Sequence, residues 1–133
     1  MGIGLSLPDV TDMKLLVVDD SAMMRAVVKN TIVSFSPKKE NIEIVEASDG
    51  QEALDRLADG ADLVLLDWQM PVIDGLSFVK TVRSSGNNVP IIMVTSVTDP
   101  DKVMEAGMAG VNAYIEKPVR GNVLWDKISP FIP

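Results

Sequence analysis

The stretch Leu15-Leu16-Val17-Val18-Asp19-Asp20-Ser21 determines how the fold of this 133-residue chain is predicted. Four consecutive apolar residues are too few for a helix and suit a strand that is buried on both faces. Two carboxylates follow at once, and the Ser21 hydroxyl can cap a helix that starts behind it. The stretch therefore predicts a buried parallel strand that leads into a helix, with two acidic side chains at the junction.

Four more runs follow, at residues 42–45, 63–66, 90–94 and 113–115, each too short for a helix and nearly all apolar. Between the runs, apolar residues recur at helical spacing, as at Met24, Val27 and Val28, so each intervening segment can lay one apolar stripe on a sheet. A cap and a proline at 98–100 start a fourth helix. Glycines at 60, 86 and 110 are stop signals, and a fifth helix is predicted over about 122–129, with Leu124 and Ile128 facing inward.

This alternation of strands and helices predicts an α/β fold: a flavodoxin-like, doubly wound, five-stranded parallel sheet of order 2-1-3-4-5 with five helices. Residues 14–133 are assigned to one domain, because 47% apolar composition over this length can bury a single continuous core. Residues 1–13 are predicted to be a leader, and no function is assigned to them. The segment 34–41, which contains Pro37, is predicted to be a surface loop.

The composition excludes several classes of chemistry. The chain has no cysteine and no histidine, so thiolate sites, imidazole zinc sites and serine–histidine relays are ruled out. Twelve basic and nineteen acidic residues give a net charge of −7, which argues against a nucleic-acid partner. No apolar run approaches the roughly 20 residues that span a bilayer. We therefore expect a cytoplasmic protein whose chemistry relies on carboxylates, lysine and hydroxyl groups.

Polar side chains follow four of the five predicted strands. Asp19 and Asp20 come after the first strand, Asp67 after the third, Thr95 after the fourth and Lys117 after the fifth. In an open parallel sheet, the carboxyl ends of the strands share one edge, and ligands bind in the crevice there. Each residue taken alone has an ordinary interpretation, such as a helix cap or a solvated charge. Their joint occurrence at one edge predicts a single site.

Three carboxylates in one crevice repel each other unless a cation lies among them. Magnesium suits oxygen ligands and typically takes one or two carboxylates, several waters and a phosphoryl oxygen. We predict that Asp20 and Asp67 are direct ligands, that Asp19 binds through water, and that the backbone carbonyl of Gln69 completes the set.

Asp67 is the predicted nucleophile. With a metal ion present, a carboxylate can attack phosphorus and form an acyl phosphate. Lys117 would hold one phosphoryl oxygen and the Thr95 hydroxyl another, which supplies the charge neutralisation that phosphoryl transfer requires.

Other positions have competing interpretations. The peptide bond between Lys117 and Pro118 is either a plain loop entry or a cis bond that turns the lysine back to the crevice, and cis is favoured. Tyr114 is either a core aromatic or a ring that moves when the site changes, and the sequence does not separate the two. Met104 and Met108 are either packing residues or part of a partner-binding surface, and packing is favoured.

The motifs at 17–21, 65–71, 74–75, 94–96 and 114–118 resemble the receiver domains of two-component response regulators, most closely the stand-alone CheY type of chemotaxis. The resemblance implies phosphotransfer from a histidine kinase to Asp67, magnesium as cofactor and self-dephosphorylation, so the protein would catalyse only its own modification. It also implies that Thr95 and Tyr114 form a switch read by a partner. Gln69 and Val97 depart from the residues of the best-known chemotaxis members, Asn and Glu, and should tune the lifetime of the phosphoryl group.

Several functions compete. The first is a monomeric chemotaxis switch that binds a flagellar motor switch protein, or a phosphatase, when phosphorylated. The second is a phosphorelay intermediate or phosphate sink without a motor partner. An aspartate-nucleophile phosphatase ranks low, because Gln69 stands where such enzymes carry a second Asp. A flavodoxin-like nucleotide binder is disfavoured, because Asp19 and Asp20 lie where a flavin phosphate would need Gly, Ser or Thr amides.

Overall fold

The computed structural model describes residues 13–37 and 41–132. The strands are β1 (Met13–Val18), β2 (Ile42–Ala47), β3 (Leu63–Leu66), β4 (Ile91–Thr95) and β5 (Ala113–Glu116). The helices are α1 (Ala22–Phe35), α2 (Gly50–Leu57), α3 (Gly75–Ser84), α4 (Pro100–Ala109) and α5 (Gly121–Ile128), and a short 3-10 helix follows at Ser129–Phe131. Strands and helices alternate along the described chain, as the sequence predicts.

The five strands form one parallel sheet in the order β2-β1-β3-β4-β5, which confirms the predicted topology. β1 pairs with both β2 and β3, so the chain reverses its direction of travel across the sheet at β1. The crevice at that reversal is where open α/β sheets bind ligands.

The core has two apolar layers, one on each face of the sheet. Alternate residues of β1 enter opposite layers: Leu15 and Val17 pack with α1 and α5, whereas Leu16 and Val18 pack with α2, α3 and α4. All four are at most 2% exposed, which explains why the strand has an unbroken apolar sequence. Leu124 and Ile128 of α5 are fully buried, as predicted.

The predicted helix signals are present in the structure. The Ser21 hydroxyl accepts a hydrogen bond from the Met24 amide at 3.2 Å and caps α1. Pro100 is the first residue of α4, behind the capping side chain of Asp99. The glycines at 60, 86 and 110 all have positive φ angles, the conformation that commonly ends a helix.

The predicted boundaries of the leader and of the 34–41 loop are wrong. Met13, assigned to the leader, begins β1, pairs with Ile42 and is 2% exposed, because its side chain fills the layer under α1 and α5. Residues 1–12 of the predicted leader lie outside the described residues. The predicted loop 34–41 begins too early, because α1 continues to Phe35, whose ring stacks on Trp125 of α5 with centroids 6.3 Å apart. Residues 38–40 of that loop also lie outside the described residues.

Candidate functional site

Lys117 joins two of the predicted acidic residues. Its Nζ lies 2.8 Å from Asp19 Oδ2 and 2.9 Å from Asp67 Oδ2, so one ammonium group bridges carboxylates that follow β1 and β3. Asp19 is 5% exposed and Asp67 is 7% exposed. Residues that are 50 and 98 positions apart in the chain thus meet in one buried ionic cluster.

The sheet itself fixes these side chains, because hydrogen bonds between strands continue into the residues of the site. The Asp67 amide donates to the Val18 carbonyl at 3.0 Å, and the Asp19 amide donates to the Ala47 carbonyl at 3.1 Å. The Lys117 amide donates to the Thr95 carbonyl at 2.9 Å. These backbone hydrogen bonds hold the side chains of Asp19, Asp67 and Lys117 at the carboxyl edge of the sheet. The peptide bond between Lys117 and Pro118 is cis.

Gly75 allows the loop after Asp67 to close tightly. Its amide donates to the Trp68 carbonyl at 2.7 Å. A Cβ atom at position 75 would lie 2.3 Å from the Asp67 carbonyl oxygen and 2.7 Å from the Trp68 Cα, both closer than real Cβ contacts. The Asp-Gly pair at 74–75 therefore has two structural roles, since Asp74 caps α3 and Gly75 leaves room for the backbone of Asp67 and Trp68.

Arg25 supports the acidic loop from behind, a role that sequence reasoning missed. Its Nη1 donates to the Asp19 carbonyl at 2.6 Å, and its Nε donates to Glu46 Oε1 at 2.9 Å. Lys29 adds a second ion pair to Glu46 at 3.1 Å. Spacing along the chain gives no signal for these contacts, because they depend on how closely α1 lies to β2.

Asp19, Asp20 and Asp67 form a group able to hold a metal ion. Each offers one carboxylate oxygen, and the three oxygens lie within 4.8 Å of one another. Asp20 is exposed whereas the other two are buried, so the group opens to solvent on one side. An all-oxygen set that water can reach fits a hard divalent cation such as magnesium. The Gln69 amide lies 3.3 Å from Asp67 Oδ1, and a ligand role for the Gln69 carbonyl remains a prediction.

The electrostatics of the site follow from burial and pairing. Burial raises the pKa of Asp19 and outweighs the opposing hydrogen bonds from Lys117 and the Ser21 amide, while the charge of Asp67 raises it further. Burial alone would lower the pKa of Lys117, but its hydrogen bonds to Asp19 and Asp67 dominate and raise it. Lys117 therefore stays protonated, whereas burial disfavours the ionised form of Asp19.

Thr95 and Tyr114 are linked through one residue. Thr95 is fully buried, and its Oγ1 accepts a hydrogen bond from the Val97 amide at 3.3 Å. The Tyr114 hydroxyl donates to the Val97 carbonyl at 2.5 Å, and its ring packs partly buried against the layer that contains α4. Burial raises the pKa of Tyr114, and the charge of Asp67 adds to the rise. This structure shows one position of the ring, so motion of Tyr114 remains a prediction.

An open crevice of about 740 Å³ lies beside the acidic group and is lined by Asp20, Trp68, Gln69, Met70, Pro71, Asp74, Val97, Asp99 and Lys102. Gln69 and Val97, which depart from the best-known chemotaxis members, both line it. Lys102 Nζ lies 5.8 Å from the centroid of the ring of Trp68, which is the residue after Asp67 in the chain. Sequence reasoning did not single out Lys102, because only the placement of α4 brings it to this crevice.

Met104 and Met108 are 65% and 83% exposed, so their interpretation as packing residues is wrong. They lie four residues apart on α4 and line a shallow groove with Lys80 of α3. Among the residues that the structure describes, no helix combines the length and the apolar composition needed to cross a bilayer.

Comparisons with known proteins point to one family. Residues 15–129 match the family model described as "Response regulator receiver domain". The chain is 42% identical to the chemotaxis protein CheY1 of Helicobacter pylori over 87% of this chain and 94% of that protein. It is 43% identical to a CheY homolog of Campylobacter jejuni, over 87% of this chain and 89% of that protein. A solved structure of Vibrio cholerae CheY4 superposes with a TM-score of 0.79 at 32% identity, over 90% of this chain and 98% of that chain.

Proposed function

This chain belongs to the family of response regulator receiver domains, and we propose that it is a stand-alone switch phosphorylated on Asp67 by a histidine kinase with the help of Mg²⁺. The observation that carries the proposal is the contact of Lys117 Nζ with both Asp19 Oδ2 and Asp67 Oδ2. That contact places a cation against the acceptor carboxylate, inside a group of three acids that can hold a metal ion.

The proposed reaction is transfer of a phosphoryl group to an Asp67 carboxylate oxygen. That oxygen attacks phosphorus, the bond to the donor nitrogen breaks, and the histidine leaves with the electron pair. Lys117 would pair with one phosphoryl oxygen, and the Thr95 hydroxyl would donate a hydrogen bond to another. Lys117 follows the end of β5 and already contacts the acceptor carboxylate, so it is in place before the donor arrives.

Asp20 and Asp67 would ligate the metal ion directly, with Asp19 through water and the Gln69 carbonyl as a further ligand. When bound, Mg²⁺ supplies charge neutralisation at the transferring phosphoryl group. The same residues account for the expected loss of the phosphoryl group to water, so the protein acts on itself and not on other substrates. Gln69 and Val97 line the crevice beside this group and would set the lifetime of the phosphorylated form.

The proposed output is a population shift between two conformations. In the shift, Thr95 moves toward the phosphoryl group and Tyr114 follows inward, which changes the face formed by α4, β5 and α5. The hydrogen bonds of both side chains to Val97 support this coupling, because one backbone segment links them. A covalent phosphoryl group can bias such an equilibrium only by its different contacts in the two states.

Chemotaxis is the proposed setting, because the relatives that cover most of this chain carry chemotaxis names. A flagellar motor switch protein would read the changed face, and a phosphatase could also bind there. By the same proposal the protein is cytoplasmic and monomeric, and its net charge of −7 favours separate copies. The alternative is a phosphorelay intermediate or phosphate sink, which keeps the chemistry but has no motor partner.

A phosphotransfer assay tests the chemistry. A radiolabelled histidine kinase from a chemotaxis system is mixed with the wild-type protein and with Asp67→Ala, in Mg²⁺ and in EDTA. We expect label on the wild-type protein only with Mg²⁺ and none on Asp67→Ala. Label that persists on the variant would refute the assignment of Asp67.

A binding assay separates the two biological roles. Purified motor switch protein is presented to the chain with and without acetyl phosphate, and Asp67→Ala serves as the matched control. Phosphorylation-dependent binding supports the chemotaxis switch. Phosphorylation without any binding supports the relay or the sink.

A further inference from the structure

The crevice beside Asp67 is larger than a phosphoryl group requires. Its volume of about 740 Å³ corresponds to on the order of 25 water molecules, at about 30 Å³ each. The groups proposed to hold the phosphoryl oxygens, Lys117 and Thr95, are not among the residues that line it. The crevice therefore has room for the part of the phosphodonor that leaves.

Lys102 is the only cation among the described residues that line this crevice, where three carboxylates, Asp20, Asp74 and Asp99, are also present. Its side chain is 55% exposed, and its one ion pair in the described chain is a long contact of 3.8 Å to Glu105. The Nζ stands over the Trp68 ring at 5.8 Å, within the range of a cation–π contact. The ammonium group is therefore held at the mouth of the site by weak contacts and can turn toward an anion there.

We propose that Lys102 determines donor specificity by stabilising the carboxylate that leaves when a small acyl phosphate phosphorylates Asp67. This inference rests on the proposed function of Asp67. In the step, an Asp67 carboxylate oxygen bonds to phosphorus, and the phosphorus–oxygen bond to the acyl group breaks. The acyl carboxylate departs with the electron pair, and no proton moves. The negative charge that develops on this leaving oxygen at the mouth is what Lys102 offsets.

Lys117 and Lys102 have different roles because they lie at different depths. Lys117 is 18% exposed in its side chain and contacts both Asp19 and Asp67, so it would meet the oxygens of a phosphoryl group on Asp67. Lys102 comes from α4, and its side chain is 55% exposed beside the Trp68 ring. Substitution of Lys102 should therefore weaken stabilisation of the leaving group and not stabilisation of the phosphoryl group.

Two phosphodonors with different leaving groups test this division. Acetyl phosphate releases an acetate anion, whereas phosphoramidate releases neutral ammonia from a nitrogen that begins positively charged. Phosphorylation rates in Mg²⁺ are followed by intact mass for the wild type, Lys102→Gln, Lys102→Glu and Lys102→Arg. Lys80→Gln is the matched control, because Lys80 lies in the separate groove between α3 and α4.

We expect Lys102→Gln to lower the second-order rate constant for acetyl phosphate, measured at low donor concentration, by about threefold, the size typical of one exposed charge, and not to lower that for phosphoramidate. Lys102→Glu should lower the rate constant for acetyl phosphate further and still not lower that for phosphoramidate, whereas Lys102→Arg and Lys80→Gln should match the wild type. An equal change with both donors would overturn the inference, because it would mean a structural effect or a contact with the phosphoryl group. Absence of phosphorylation of the wild type by either donor would instead refute the proposed function.

Discussion

Val72, in the loop between β3 and α3, has a φ angle of 70° and is 77% exposed. Among the described residues it is the only non-glycine with a positive φ. A left-handed conformation costs an ordinary L-residue roughly 1–2 kcal/mol, and a β-branched side chain is especially poorly suited to it. Because the side chain is exposed, little packing compensates for this strain.

Val72→Asn should therefore raise the free energy of unfolding by about 1 kcal/mol, since Asn tolerates the left-handed region. Urea denaturation followed by far-UV circular dichroism measures the change. Val33→Asn is the control, because Val33 is an exposed valine inside α1, and Val and Asn have similar helix propensities. An equal gain in both variants would show that backbone strain at position 72 is not the cause.

Asp19 links the charge of the site to stability. Its pKa is raised in the folded state, chiefly by burial, so the unfolded chain releases the Asp19 proton first as the pH rises. Stability contributed by the protonated form is thus complete below the unfolded pKa, near 3.8, and is lost as the pH rises through the folded pKa. At neutral pH without metal, the ionised side chain destabilises the fold.

Asp19→Asn should therefore raise the free energy of unfolding at pH 7 in EDTA, by on the order of 1 kcal/mol. The gain should disappear at pH values below the unfolded pKa of Asp19. Denaturation at several pH values measures it. A gain that stays constant over the whole pH range would contradict an electrostatic origin.

The site residues at strand ends could be predicted from sequence, whereas their supports could not. Asp19, Asp67 and Lys117 each follow an apolar run directly, and parallel strands bring such positions to one edge. Arg25 and Lys102 reach the site through long side chains from helices, so their contacts depend on helix placement that no local pattern encodes. The exposure of Met104 and Met108 was mispredicted for the same reason.

At the scale of elements, the loop from β3 to α3 is fixed by the close approach of Gly75 to the backbone of Asp67 and Trp68. Gly75→Ala should destabilise the protein by about 2 kcal/mol or more, because the contacting atoms are backbone and cannot turn aside. It should also weaken Mg²⁺ binding, measured by Trp68 fluorescence.

Gly107→Ala is the control, because its Cβ would meet nothing within 4 Å inside α4, and alanine should stabilise that helix by about 0.5–1 kcal/mol. Equal effects at both positions would contradict the crowding at Gly75.

The central strands β1, β3 and β4 could be predicted because burial on both faces leaves a plain apolar run, whereas the edge strands β2 and β5 are only partly buried and keep glutamates. The ends of strands and helices were harder to predict where tertiary contacts determine them. α1 continues past Ser34 because Phe35 gains a ring partner in Trp125, and β1 starts at Met13 because Ile42 pairs with it. β2 continues to Ala47, two residues beyond the predicted end, because its ladder with β1 extends to the pair Val18 and Ala47.

For the whole molecule, the acidic group should make stability depend on divalent metal. Mg²⁺ that binds only the folded state adds about 2.7 kcal/mol at one hundred times its dissociation constant. We expect the thermal midpoint of the wild type to rise with Mg²⁺, and to rise less for a variant that carries Asp20→Asn and Asp67→Asn together. NaCl at matched ionic strength controls for screening. Equal rises in the two proteins would show that the cation binds elsewhere.

The central claim is that Asp67 accepts a phosphoryl group at a site completed by a divalent cation. Intact mass after incubation with acetyl phosphate tests it directly, on the wild type and on Asp67→Ala, with Mg²⁺ and with EDTA. We predict a gain of one phosphoryl group only for the wild type with Mg²⁺. A gain on Asp67→Ala, or an equal gain for the wild type in EDTA, would contradict the claim.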